Sequence, residues 1–102
     1  MSEYAMTHTA AAVPLEIVSS FAADQYDALL RIVDDSALLP PTWDAWRRGF
    51  DDRLTSLHQR GTEVVVVPVD LESFVRWCAA KGLRCDAEAR LEYAETAAAS
   101  LP

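Results

Sequence analysis

Hydrophobic and polar residues follow three different rhythms along this chain, and each predicts a different element. The densest apolar run is Val64-Val65-Val66-Val67. These are four β-branched residues whose stiff χ1 preferences favour an extended backbone. A run without polar alternation predicts a strand covered on both faces, lying between Gly61 and Pro68. A shorter alternation sets Val13, Leu15 and Ile17 against Pro14, Glu16 and Val18, and predicts a first strand. Pro14 cannot donate to a ladder, so that strand starts there or lies at an edge.

Elsewhere the period is helical. Ala22, Tyr26, Leu29, Leu30 and Val33 form the stripe of a helix with one buried face. Asp34, Asp35 and Ser36 close it badly, because acids at a C-terminus oppose the dipole. Leu38-Leu39-Pro40-Pro41 then reads as a stiff, extended loop. Thr42 is placed to cap a long helix over 43–60, with Trp43, Trp46, Phe50, Leu54 and Leu57 as its buried stripe against the valine strand. Its outer face pairs Arg47 with Asp51 and Arg48 with Asp52, and Gly61 ends it.

Asp70 is the N-cap of the next helix, with Glu72 in its first turn where the dipole favours negative charge. That helix buries Leu71, Phe74, Val75 and Cys78, and Gly82 stops it in a cap that brings Leu83 back to Cys78. Asp86 caps a last helix over 87–99 with Ala87, Leu91, Ala94 and Ala98 as a narrow buried stripe. Alanine buries little area, so this helix is expected to be the least firmly held. The order β-α-α-β-α-α predicts a small α/β domain over 12–99, two strands covered by four helices. Residues 1–11, small and polar without a sustained period, are expected to be a disordered tail.

A chain of 102 residues holds a single core. Its formal charge of −7 is unevenly spread. Residues 1–40 hold six acids and Arg31 alone; residues 41–60 set four arginines against three aspartates; residues 61–102 set seven acids against four bases. Without a basic stripe there is no means of neutralising phosphates, which argues against nucleic-acid binding. No stretch is long and apolar enough for a membrane span, and nothing at the start resembles a signal peptide. Two cysteines in such a chain read as reduced thiols, and the expected location is cytoplasmic.

Candidate chemistry is sparse. His8 and His58 have no partners at metal-ligand spacing, so no metal or cofactor is expected. The pairs Asp34–Asp35 and Asp51–Asp52 are adjacent residues that point apart on a helix, and they read as solvated surface. Three isolated glycines make no phosphate loop. Cys78 faces the core by periodicity. Cys85 precedes a helix N-terminus, where a thiol pKa can fall, and is the candidate reactive thiol. Trp43 and Trp46 share the buried stripe. Trp77 stands off the Leu71/Val75/Cys78 line and, framed by Arg76 and Arg84, is the candidate interface anchor.

Three segments together, LPPTWDAW (Leu38 to Trp46), VVVVPVDLESFVRWC (Val64 to Cys78) and DAEAR (Asp86 to Arg90) after Gly82, resemble a family of small bacterial proteins without an assigned function. The resemblance covers roughly 38–95. It implies the boundaries of the long helix, the Val-rich strand and the two capped helices, and it carries over no catalytic residue.

With no converging catalytic set and an acidic surface, the functional expectation is a cytoplasmic protein–protein interaction module without catalysis. Toxin-neutralising and phage-defence-inhibiting proteins belong to this class. The alternative is a thiol-based sensor or small enzyme centred on Cys85. Two strands alone are marginal, and an open valine edge invites pairing, so a homodimer is expected.

Overall fold

A computed structural model describes residues 13–100. The chain runs through β1 (Leu15–Ser20), α1 (Ala23–Ile32), a 3-10 turn (Ser36–Leu38), α2 (Trp43–Gln59), β2 (Glu63–Pro68), α3 (Leu71–Lys81) and α4 (Ala87–Ala99). This is the α/β order, four helices and two strands, that the hydrophobic pattern predicts. The expected tail, residues 1–11, lies outside the described residues.

The two strands are parallel, from Leu15 opposite Glu63 to Ser20 opposite Pro68. Parallel neighbours require a crossover, which α1, the 3-10 turn and α2 supply. The Glu63 amide donates to the Pro14 carbonyl at 2.8 Å, and the Val69 amide donates to the Ser20 carbonyl at 2.9 Å. Pro14 therefore joins the ladder only as an acceptor, where its missing N–H costs nothing.

Each helix end has a local cause. Thr42 Oγ1 accepts from the Ala45 amide at 3.2 Å, Asp70 Oδ2 from Ser73 at 2.9 Å and Asp86 Oδ1 from Ala89 at 2.9 Å. Each satisfies one orphan amide of a first turn. Hydrogen bonds from the Ser73 amide and then its hydroxyl hold the Asp70 carboxyl below its ordinary pKa. Gly61 and Gly82 take φ of 76° and 67°, where a side chain would be strained. Behind them Thr62 and Leu83 donate back to the Leu57 and Cys78 carbonyls at 3.0 and 2.9 Å, the paired closure expected after Gly82 and present after Gly61 as well.

Tyr26, Leu29 and Val33 are buried together as their spacing predicts, with Trp43, Trp46 and Leu71 against them. Phe74 and Cys78 of α3 are buried with Val69 and Ala89, bounded by Trp77 and Tyr93. Phe21 and Cys85 touch both groups.

Three expectations about burial are corrected. The valine run is not covered on both faces: Val67 is 5% exposed but Val66 is 41% exposed, with Val64 and Val65 between. Helices α2 and α4 reach β2, yet so narrow a sheet leaves part of one face open. The stripe of α2 points inward but only Leu57 is fully buried, while Trp43, Trp46, Phe50 and Leu54 are half-buried. Finally, α4 is rotated from the expected stripe. Ala94 is buried and Ala98 half-buried as expected, but Leu91 is half-exposed and Ala87 exposed, with Ala89 and Arg90 buried in their place. An ion pair that turns Arg90 inward accounts for the rotation. Far from hanging loosely, α4 lies against β1, β2 and α3, an approach its alanines permit.

Candidate interaction site

The Asp34–Asp35 pair is not simply solvated surface. It forms the end of α1 into one half of a clamp on the start of α4. Arg90 Nη1 and Nη2 donate to the two Asp35 carboxylate oxygens at 2.9 and 2.8 Å, with side chains only 8% and 14% exposed. The Arg90 hydrogen bonds hold the Asp35 carboxyl below its usual pKa, against the opposing effect of burial. Asp34 is exposed and meets Arg84 Nε at 3.1 Å, while its amide donates to the Cys85 carbonyl at 2.9 Å. The acids that oppose the dipole of α1 are thus neutralised by arginines from 50 and 55 residues away. The signal in the sequence is that opposition itself: two acids at a helix C-terminus need cations from elsewhere.

Cys85 sits in the same turn, half-buried and directly before the Asp86 cap. Cys78, one helix back, is buried, and desolvation together with the adjacent Cys85 thiol pushes its pKa up to about 11. A thiol so held is protonated at neutral pH and is a poor nucleophile. Among the described residues, no three of His, Cys, Asp and Glu gather as a metal-binding group. His58 is exposed near the end of α2.

The three residues nominated as an interface each have partners within the chain. Trp77 is half-buried, stacked on Phe74 (centroids 6.5 Å apart) and edge-on to Tyr93 (5.5 Å), with Lys81 Nζ 5.3 Å above its ring. Its principal contacts therefore bind α3 to α4. Arg76 is exposed and lies 3.7 Å from Glu72 one turn earlier, and Arg84 belongs to the clamp.

Two open grooves mark the surface. One, of about 560 Å³, lies between α1 and the start of α3, lined by Gln25, Ile32, Leu71, Val75 and Arg76. Gln25 Oε1 accepts the Leu71 amide at its floor, at 3.2 Å. The other, of about 440 Å³, runs along β1 beside Trp46, Gly49 and Phe50 of α2. Its wall on the β1 side is four consecutive residues, Glu16 to Ser19. Alternate side chains of a strand point to opposite faces, so four in succession line a groove only along the strand's edge. Arg53 of α2 is paired with Glu16 at this rim.

The outward backbone groups can be assigned. Pro14 and Ser20 carbonyls face β2, so by the period of two Glu16 and Val18 do also. Leu15, Ile17 and Ser19 then direct their N–H and C=O groups away from β2, toward the groove. Among the described residues nothing bonds to them. Sequence reasoning placed the open edge at the valines; among the described residues β1 has an open edge as well.

No family model matches the chain, and no curated protein or solved structure is significantly similar to it. The surfaces must therefore be read on their own chemistry. No described helix is long and apolar enough to cross a membrane.

Proposed function

We propose that this chain is a protein–protein interaction module without catalysis, self-associating and binding a further protein partner in the cytoplasm. One observation carries the reading: the described residues leave apolar side chains uncovered along two grooves. Ile32 of α1, 41% exposed, and the half-buried Val75 of α3 line one groove, and the half-buried Ile17, Trp46 and Phe50 line the other. Apolar area grouped along grooves marks an interaction site, whereas scattered single residues do not. A role in neutralising a toxin or countering phage defence falls within this class.

The α1–α3 groove is our candidate for the further partner, since Ile32 and Val75 there line a recess that the described residues do not fill. The test is affinity capture from the native cells, comparing wild type with the double variant Ile32→Glu, Val75→Glu. A protein held by wild type and lost by the variant supports the reading. Equal retention, or none, overturns it.

A second reading, a thiol-based sensor, is favoured by the adjacency of Cys85 to Cys78 across the α3–α4 turn. Against it stands the firmly protonated Cys78. Treatment with peroxide followed by intact-mass measurement decides: loss of two hydrogens per chain with a Cys78–Cys85 peptide link would favour it over the interaction reading.

A further inference from the structure

We propose that the exposed edge of β1 pairs antiparallel with the β1 edge of a second copy, with Ile17 on the two-fold axis, giving a continuous four-stranded sheet β2-β1-β1-β2. This rests on the interaction reading above and names the surface of self-association.

The outward groups of β1 are those of Leu15, Ile17 and Ser19, symmetric about Ile17. In an antiparallel ladder centred there, Ile17 exchanges two hydrogen bonds with its twin, and each Leu15 exchanges two with the opposite Ser19. All six outward donors and acceptors of each three-residue set are used, which no shifted register achieves. Charge agrees with the same register. Glu16, the one ionisable side chain of β1, falls opposite Val18 and not opposite its own twin, and Arg53 already neutralises it. No like charges meet across the strands, the arrangement that would destabilise a pair.

The groove provides the space. The second strand enters between β1 and α2, where Gly49 has open space around the position of an absent Cβ. Trp46 and Phe50, half-buried in one chain, then lie against the incoming strand. A two-stranded sheet becomes four-stranded, beyond the three strands at which a sheet with an apolar face gains independent stability. The symmetric contact also closes an edge that would otherwise template open-ended pairing.

Sedimentation equilibrium on the full chain, on Ser19→Pro and on Ile17→Cys tests this. The Ser19 N–H faces outward, so proline there removes no bond to β2 and blocks only the second strand. Wild type is expected at twice the chain mass at micromolar concentration. Ser19→Pro should dissociate more readily by about ten- to hundredfold, the loss of two hydrogen bonds across the axis. Because that variant can also fail to fold, Ile17→Cys supplies the second readout. In the proposed register its Cα atoms lie about 5.5 Å apart, within disulfide range, so mild oxidation should link two chains through position 17.

A wild-type monomer overturns the proposal. So does a dimer that Ser19→Pro leaves intact and Ile17→Cys does not link. A chain that dimerises only after residues 1–11 are removed would show its own N-terminal segment on the edge, and a strand from another protein captured there would show a heterologous occupant; either overturns it. Capture of a partner through the α1–α3 groove by a monomer would leave the partner-binding part of the broader reading standing and remove self-association from it. An intact 17-linked dimer with no groove-dependent capture would instead overturn only the further-partner part of the broader reading.

Discussion

Asp35 and Arg90 stand 55 residues apart in the chain and meet through two parallel hydrogen bonds of 2.9 and 2.8 Å, almost out of reach of water. The pair fixes the end of α1 against the first turns of α4 and sets which face of α4 turns inward. Two charges this well shielded are costly to separate and contribute less as a pair than the loss of one partner implies.

Arg90→Ala should therefore destabilise the domain by about 3–5 kcal/mol, because it leaves the Asp35 carboxylate shielded and unpaired. Asp35→Leu with Arg90→Met should cost less than either single change, read as urea midpoints at neutral pH. The pair also predicts an acid limb. The folded pKa of Asp35 is depressed, so its contribution is complete above the ordinary carboxylate pKa and is lost as pH falls through the lower folded value. The wild type should lose stability below about pH 4 more steeply than the double variant.

The same conservative change tests the asymmetric cover of β2. Val67→Thr places a hydroxyl at a position 5% exposed and should cost about 1–3 kcal/mol. Val66→Thr, at 41% exposure, should stay within about 0.5 kcal/mol. Equal costs at the two positions would return the strand to a doubly covered one.

Aromatic truncations should separate the two cores from the ridge. Phe74 is fully buried, so Phe74→Ala should cost about 3–5 kcal/mol. Phe50 stacks on Trp46 at 4.8 Å but is half-buried, and Phe50→Ala should cost about half as much in the monomer. Thermal or urea unfolding of both variants measures the ratio, and a Phe50 cost equal to that of Phe74 would contradict the half-covered ridge.

What the chain made legible was local. Thr42, Asp70, Asp86, Gly61 and Gly82 act within four residues of themselves, and each helix starts or stops where its capping chemistry places it. Periodicity also found Tyr26, Leu29, Val33, Phe74 and Cys78, whose burial is complete or nearly so. What it missed depended on distant partners. Nothing near Arg90 signals burial, since its reason for facing inward is Asp35. Four valines in a row cannot reveal how much helix will cover them. The open edge of β1 follows from the parallel pairing, which alternation alone does not specify.

The last prediction concerns the thiols, where exposure and protonation act together. Cys78 is buried and its pKa stands at about 11, so at pH 7 about one thiol in ten thousand is ionised. Cys85 is half-buried and accessible from the α3–α4 turn. Iodoacetamide at pH 7 should therefore add one label per native chain, at Cys85, before any reaches Cys78. Denaturant should release the second site, because unfolding removes the desolvation that holds the Cys78 thiol protonated. Peptide mapping after timed quenching reads both rates. Labelling of Cys78 at a rate matching Cys85 in the native state would mean that α3 opens locally from the α4 face, which the mutual contacts of Phe74, Trp77 and Tyr93 oppose.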